Sequence, residues 1–300
     1  MKYLDGDTTL GNFPVIWVVA RLLAATGSTS RSALVETLRP PAVVESEGKR
    51  GAFTASLAVA ERLGLLKEDD DEEKVWSLGP QLERKGGGTG PQFSDADQFR
   101  NLCRAAFFAR ELKDLEEGDG PSDVAVGLAW LTSRNPRESL AKSWDDGPNE
   151  ELQRFNLLER SVLNGTQWGH FRRWAIDLGF ATESKDRLHV DVEPVVASSV
   201  REMKPGRVTA RTFVDKVAKA IPVLDRGVIA DYVETQLEVP RGLGDAVAGH
   251  VLYHSIRRLE ARKMVELERG ADAKGTVAFA TQGGSVAIDA VTVLEATGVN

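Results

Sequence analysis

One pattern, in which a helix is followed by a turn, a strand, a polar tip and a second strand, occurs three times along this 300-residue chain. The three copies are AERLGLLKEDDDEEKVWSLG, FRRWAIDLGFATESKDRLHVDVEP and SIRRLEARKMVELERGADAKGTVAFA. In each copy, apolar residues at helical spacing end at a turn residue, which is Gly64, Gly179 or Lys263. The second strands are predicted at 75–78, 188–192 and 276–280. This order of elements predicts small helical units that each carry a β-hairpin.

Helices upstream of each hairpin complete these units. Apolar spacing predicts helices at 14–25 and 30–38, at 150–163 and 165–178, and at 210–220, 227–236 and 245–262. Asn164 is the predicted N-cap of the helix that starts at Gly165. Two further helices are predicted at 95–115 and 122–131. The predicted fold class is therefore mainly α with small β-wings (α+β), arranged as three tandem units and a helical connector.

The predicted domains are a first unit at 1–88, an acidic helical connector at 89–147, a second unit at 148–205, and a third unit with a C-terminal tail at 206–300. The glycine-rich stretch from Lys85 to Pro91 is typical of a flexible linker. Segment 91–164 holds nine basic and fourteen acidic residues. This segment is therefore not expected to bind DNA, and it is expected to pack between the units or to support a protein partner.

Two resemblances follow from these residues. The helix-to-strand junctions LGLL, LGFA and RKMVE resemble those of the winged-helix superfamily, which implies three tandem winged-helix units. The beginning of the chain, with WVVARLL, a serine-rich turn and ETLRPPAVVES, resembles the DpdG-type proteins. Those proteins are encoded in bacterial defence islands that deal with deazapurine-modified DNA. The second resemblance implies a role in defence, and it offers no catalytic residues to carry over.

Charge narrows where this chain could contact DNA. The formal net charge is −7, so a contact with DNA requires a local basic patch. The region from Gly165 to Ala220 has ten basic and seven acidic residues, and its first helix has a core stripe that includes Trp168 and Phe171. The opposite stripe shows Trp174 together with polar residues, and the hairpin adds cations. The candidate DNA-binding residues are Gln167, His170, Arg172, Arg173, Lys185 and Arg187. A solvated helix face remains an equally open interpretation.

A secondary set of DNA-binding candidates lies in the other two units. Arg31, Lys49, Arg50 and Thr54 lie at helix starts in the first unit, and Arg257 and Arg258 lie on the third-unit helix. Glutamates lie close to that last pair, which favours a structural or dimerising use. The six consecutive acids from Glu68 to Glu73 would repel a phosphate backbone, so the first hairpin is expected to be a solvated loop or to face a basic partner.

The sequence shows no motif for catalysis, a metal or a cofactor. It contains no phosphate-binding glycine loop with lysine, no nucleophile elbow and no recognisable pair of catalytic carboxylates. Cys103, the single cysteine, lies in an apolar helical stripe and is expected in the core. His250 and His254 are four residues apart but lack an obvious third ligand. We therefore expect no catalytic residues, no metal and no cofactor.

These observations predict a non-enzymatic tandem winged-helix adaptor or scaffold that binds DNA and other protein subunits, as part of a phage-defence system. A dimeric transcription regulator is one alternative. The other is a structural subunit similar to the winged-helix subunits of chromosome-condensing complexes. The single cysteine favours the cytoplasm, and no apolar run approaches the ~20 residues of a membrane-spanning helix, so no membrane partner is expected.

Overall fold

In the computed structural model, the described residues are 2–4, 8–9, 11–38, 51–69, 74–83, 95–154, 163–238, 248–270, 275–281 and 283–295. The chain divides into two compact units, Met1–Ser122 and Asp123–Asn300. This division falls within the segment predicted as a connector. The domain boundaries at residues 88, 147 and 205 stay predictions. The mainly helical content with small antiparallel sheets confirms the α+β class.

The first unit packs helices against a three-stranded antiparallel sheet. The elements are α1 (Phe13–Thr26), β1 (Thr29–Ser30), α2 (Arg31–Leu38), α3 (Ala52–Arg62), β2 (Leu66–Glu68), β3 (Val75–Leu78), α4 (Pro80–Glu83) and α5 (Ala96–Glu117). The strand order is β1-β3-β2, with Thr29 opposite Trp76 and Leu66 opposite Leu78. Trp76 points into a core formed by the apolar faces of α1, α3 and α5, because α1 contacts β3, α3 and α5.

The second unit contains two sheets around a buried helix. The helices are α6 (Asp123–Ser133), α7 (Pro148–Arg154), α8 (Gly165–Asp177), α9 (Glu193–Arg201), α10 (Ala210–Ala220), α11 (Val228–Gln236) and α12 (His250–Ala261). The strands are β4 (Leu140–Ala141), β5 (Ala181–Ser184), β6 (Arg187–Val190), β7 (Gly206–Thr209), β8 (Val265–Arg269), β9 (Val277–Thr281) and β10 (Gly284–Val293). Residues 123–132 of α6 are all buried, because α8, α11 and α12 contact this helix.

The three sheets share one strand order, but the third sheet connects its strands differently. In the first two, a short strand lies next to the last strand of a hairpin, and the hairpin follows directly after a helix. In the third, β8 follows the helix but pairs with β10, and the hairpin is formed by β9 and β10. The strand orders are β1-β3-β2, β4-β6-β5 and β7-β10-β8, and the third sheet has β9 as an additional strand on β10. Strands are present near 75–78, 188–192 and 276–280, as predicted, and so is the helix that precedes β2, β5 and β8. The predicted third hairpin is wrong in its pairing, because β8 and β9 both pair with β10 and not with each other.

The three helix-to-strand turns share one hydrogen-bond pattern. The turn residues Gly64, Gly179 and Lys263 have φ of +66°, +83° and +56°. The next amide in each copy donates to a carbonyl five residues earlier, at 2.8 Å from Leu65 to Ala60, 2.8 Å from Phe180 to Ala175 and 3.0 Å from Met264 to Leu259. These bonds close the last turn of each helix around a left-handed residue. The three predicted turns are therefore confirmed.

Lys263 is the one non-glycine residue of these three turns, and it adopts a left-handed conformation that its Cβ disfavours. We expect Lys263→Gly to raise the free energy of unfolding of the second unit by roughly 0.5–1 kcal/mol, because glycine adopts this conformation without the steric cost. Gly179→Ala, the opposite exchange at the equivalent turn, should lower it by about 1 kcal/mol. Urea denaturation of the full chain, followed by tryptophan fluorescence, measures both. A Lys263→Gly chain no more stable than wild type would contradict the prediction.

The two longest regular elements that the sequence analysis missed are α9 and β10. Helix α9 begins at Glu193 with Pro194 in its first turn. Strand β10 lies in the segment predicted as a C-terminal tail, and it pairs with β7, β8 and β9. It forms a hairpin with β9, but it also pairs with β7, which is distant in sequence, and a search for a helix followed by one hairpin does not detect it. The predicted helix at 245–262 begins at His250, and residues 245–247 lie outside the described residues.

Candidate nucleic-acid interface

Helix α8 is the element that positions the main DNA-binding candidates. Asn164 is its N-cap, as predicted, and its Oδ1 accepts a hydrogen bond from the backbone amide of Gln167 at 3.0 Å. Trp168 and Phe171 are fully buried, and their rings stack with centroids 5.8 Å apart. The Trp168 indole also donates to the Lys142 carbonyl at 3.0 Å. The predicted core stripe of this helix is therefore confirmed, and its packing sets which side of α8 faces away from the core.

Two residues expected on the exposed stripe of α8 are buried instead. Gln167 is 4% exposed and Trp174 is 1% exposed. The physical reason is that α8 packs against both α6 and β5, so more of its circumference is covered than a single amphipathic stripe would require. The expectation of an exposed Gln167 side chain is wrong, and in this conformation that amide does not reach a base edge.

The remaining candidates on α8 and its hairpin are accessible. His170 and Arg173 are half-buried on α8, whereas Lys185 and Arg187 are exposed on the β5–β6 hairpin. Burial, and then the nearby positive charge of Arg173, lower the pKa of His170 below its ordinary value. A neutral imidazole at neutral pH follows, which can both donate and accept a hydrogen bond at a base edge.

Ion pairs and hydrogen bonds fix several of these cations. The carboxylate of Glu183 on β5 forms one ion pair with Nη1 of Arg172 and another with Nζ of Lys142, each at an N···O distance of 2.9 Å. Arg187 donates from Nε to the Ser139 hydroxyl at 2.9 Å and from Nη2 to the Ser139 carbonyl at 3.1 Å. These contacts hold the hairpin against α8 and the segment before β4. We name Lys142, Arg172, Arg173, Lys185 and Arg187 the α8 surface.

Lys142 is a member of this surface that the sequence analysis missed. It follows β4 directly, and its backbone amide donates to the Asp186 carbonyl at the tip of the β5–β6 hairpin at 3.0 Å. The pairing of β4 with β6, through Leu140 and Leu188, brings it there from well before α8 in the sequence. No local signal marks a two-residue strand, so only the sheet reveals this neighbour.

The secondary candidates of the first unit lie in three different settings. Arg31 pairs with Glu68 at 3.7 Å, and Lys74 pairs with the same carboxylate at 3.7 Å. Thr54 is half-buried on α3. Lys49 and Arg50 lie outside the described residues, as do the four acids at 70–73. Asp69 also pairs with Lys67, at 3.3 Å. The first two acids of the acidic run, Glu68 and Asp69, therefore form ion pairs with cations of the same unit.

The candidates on α12 are engaged in ion pairs within the second unit. Arg257 pairs with Glu260 on the same helix. Arg258 contacts Asp191 at 3.1 Å and Glu193 at 2.6 Å, and Arg262 reaches Glu193 at 2.6 Å. Glu193 is buried, so these two arginines neutralise a carboxylate that has little access to water. This arrangement ties α12 to α9 and favours a structural use of Arg258.

The described residues contain one cluster of side chains with the spacing of metal ligands. Carboxylate oxygens of Asp114, Glu117 and Asp119 lie within 4.8 Å of one another at the end of α5. Asp114 already pairs with Arg110 at 2.9 Å, and the other two carboxylates are exposed, so we assign no ion to this cluster. Cys103 is buried, as predicted. The absence of a metal and of a cofactor stays a prediction.

Within the described part of the chain, no helix combines the length and the apolar character needed to cross a bilayer.

A comparison with protein families identifies the family of this chain. The model of the DpdG-like family matches residues 7–273. The chain belongs to the DpdG-like family. None of the curated proteins and none of the solved structures matches it. Membership in the DpdG-like family supports an association with deazapurine-modified DNA and defence.

Proposed function

We propose that this chain is a non-enzymatic, DNA-associated adaptor of a phage-defence system, built from three winged-helix modules. Two features support the modular part of this proposal. In all three sheets, a short first strand and the strand that follows a helix both pair with the last strand, and each of those helices is closed by the same left-handed turn. In winged-helix proteins that helix docks in the major groove and the hairpin lies beside it. Membership in the DpdG-like family supports the defence part.

The observation that carries the DNA contact is the clustering of five cations on the α8 surface. Two carboxylates, Glu183 and Asp186, lie among them on the same hairpin, so the surface keeps an excess of positive charge in a chain of net charge −7. Its affinity would come from phosphate contacts and the release of condensed counterions. Arg173 and His170 are the α8 side chains left for base edges, because Gln167 is buried. A modest, salt-sensitive affinity with little sequence preference follows.

The first unit would bind protein rather than DNA. Its hairpin carries the run of six acids, and Arg31 is already paired with Glu68 there. A basic surface on another subunit of a cytoplasmic defence complex is the complementary partner. The chain would thus link a subunit of that complex to DNA through two different units.

One observation favours a second candidate, a structural subunit that binds no DNA directly. Three of the five cations of the α8 surface, Lys142, Arg172 and Arg187, already have partners in Glu183 and Ser139. If these contacts are their whole purpose, the surface stabilises the hairpin and does not read a phosphate backbone. The two candidates differ in a single measurement, which is whether the purified chain binds a DNA duplex.

Replacing Arg173 and Lys185 with alanine tests the proposed DNA contact. We expect the double variant to bind a fluorescein-labelled duplex of about 20 base pairs more weakly, with a salt slope reduced by roughly one to two units. These two residues are chosen because Arg187 also anchors the hairpin to Ser139. Fluorescence anisotropy titrations at several salt concentrations between about 50 and 200 mM measure the slope.

The matched control is Lys216→Ala with Lys219→Ala, which removes two exposed charges from α10 in the same unit. It should retain both the affinity and the slope of wild type. Equal losses in both double variants would show that overall charge, not the α8 surface, carries the binding. A wild-type chain that binds no duplex would replace the proposal with the structural subunit.

A further inference from the structure

A cleft of about 240 Å³ lies in the second unit, and none of its described lining residues belongs to the α8 surface. The loop that follows α6, the first half of α12 and the end of β9 form its walls. Arg137 enters it from the loop, and His250, Tyr253, His254 and Arg257 enter it from α12. The three elements are distant in sequence, so the cleft is a product of the tertiary fold.

The lining of the cleft is rich in hydrogen-bond donors and in basic side chains. Asn135, Arg137, the two histidines and Arg257 supply hydrogen-bond donors, and among the described residues the lining contains no aspartate or glutamate. The whole chain has 45 acidic and 38 basic residues, so a described lining with two arginines and no carboxylate departs from the composition of the chain. Guanidinium groups and imidazoles that converge on one space are suited to bind an anion.

Carboxylates near the cleft are already engaged elsewhere. Glu260 pairs with Nη1 of Arg257, which fixes that side chain and leaves its other nitrogens as donors. Asp225 is buried and accepts the Gly249 amide at 2.9 Å, so it occupies the N-terminal end of α12. An anion in the cleft would therefore be held by side chains, not by the helix amides. Glu138 accepts the Asn135 amide at 3.3 Å on the exposed side of the loop.

Tyr253 adds an aromatic surface to this cationic cleft. Its ring packs against Phe279 with the centroids 5.9 Å apart and an interplanar angle of 38°. This contact limits the movement of the ring while the residue remains half-buried at the wall of the cleft. An aromatic ring beside a group of cations suits a ligand that joins a phosphate to a base.

We propose that this cleft binds the phosphate monoester of a nucleotide, either a free nucleotide or the phosphorylated end of a DNA strand. Its volume admits a single phosphate with part of the attached nucleoside, and it is too small for a duplex. The side chains of Arg137, His254 and Arg257 hold the phosphate, and Tyr253 lies beside the sugar or base. The described lining of this site shares no residue with the α8 surface, and the proposal does not depend on the contact with duplex DNA.

Isothermal titration of the full chain tests the cleft with five probes: inorganic phosphate, deoxyguanosine 5′-monophosphate, deoxyguanosine, and a short single-stranded oligonucleotide with and without a 5′-phosphate. We expect the monophosphate to bind at least about tenfold more tightly than the nucleoside, because the phosphate is the group recognised. If only the 5′-phosphorylated oligonucleotide binds, the source of the phosphate is a strand end. If none of the phosphorylated probes binds, or if removing the phosphate changes nothing, the proposal is overturned.

Two variants locate the binding. Arg137→Gln and His254→Gln each remove one exposed side chain from the wall, and each should weaken binding of the phosphorylated probe by about tenfold. Using both guards against a loss of binding through misfolding, which circular dichroism also monitors. The double replacement of Arg173 and Lys185 should leave this binding unchanged. If that double variant loses it while Arg137→Gln and His254→Gln retain it, the phosphate binds at the α8 surface and the cleft assignment is wrong.

Discussion

Replacing Glu111 with glutamine is expected to raise the free energy of unfolding of the first unit at pH 8 by up to about 3 kcal/mol. At pH 4 the same replacement should have little effect. Glu111 lies on α5 and is 0% exposed. Burial raises the pKa of its carboxyl to about 7, and the charge of Asp114 adds to this, while hydrogen bonds from Ser122 oppose it. The backbone amide of Ser122 donates to Oε2 of Glu111 at 2.8 Å.

The sign of the effect follows from proton linkage. The unfolded carboxyl has a pKa near 4.5 and the folded one a pKa near 7, so the folded chain binds the proton more tightly between these values. The free energy of unfolding of the first unit is therefore highest below about pH 4.5, with respect to this carboxyl. It falls as the pH rises through 7 and stays at the lower level above that pH. Glutamine stays neutral at every pH and accepts the Ser122 amide through its carbonyl oxygen. The variant should therefore lack this part of the pH dependence.

Hydrogen exchange measured by mass spectrometry suits this prediction, because it follows α5 separately from the second unit of the full chain. Protection of the α5 peptides in wild type should decrease from pH 5 to pH 8 after correction for the intrinsic exchange rate. Glu117→Gln is the matched control, since Glu117 lies on the same helix but is exposed. It should behave like wild type. A wild-type α5 with the same stability at pH 5 and pH 8 would contradict the prediction.

Gly127→Ala is expected to destabilise the second unit by roughly 1–3 kcal/mol. A Cβ at residue 127 would lie 2.5 Å from Cε2 of Phe171, well inside van der Waals contact. The Phe171 ring is fully buried and is fixed by the rings of Trp130 and Trp168, so it has little room to move. The clash therefore outweighs the ~1 kcal/mol by which alanine is normally favoured over glycine within a helix.

Gly169→Ala is the matched control for this substitution. Gly169 lies on α8, is exposed, and has no atom within 4 Å of the position its Cβ would take. That variant should be more stable than wild type by up to about 1 kcal/mol. Phe171→Leu combined with Gly127→Ala should cost less than the sum of the two single changes, because the smaller side chain relieves the clash. Urea denaturation compares all four chains. Additive single effects, or a Gly127→Ala chain as stable as wild type, would rule out the clash as the cause.

Local features of this fold could be predicted from the sequence because their causes are local. Asn164 caps α8, and Gly64, Gly179 and Lys263 close their helices, through bonds to neighbours within a few residues. The helices and hairpin strands follow from apolar periodicity for the same reason. The composition also marked the region from Gly165 to Ala220 as the basic part of an acidic chain.

The tertiary structure decided which of these residues form a surface. Gln167 and Trp174 are buried because α8 is covered from two sides, which a single helical stripe does not reveal. Lys142 joins the α8 surface through the pairing of β4 with β6, and Glu183 draws Arg172 and Lys142 together. The third sheet is completed by β10, which joins its neighbour β9 to β8 and to β7, a strand about 80 residues earlier in the sequence. The sequence determined the helices, the turns and the charges, because these depend on near neighbours. Burial and clustering depend on strand pairing and helix packing over long distances in the chain, so only the folded chain decided them.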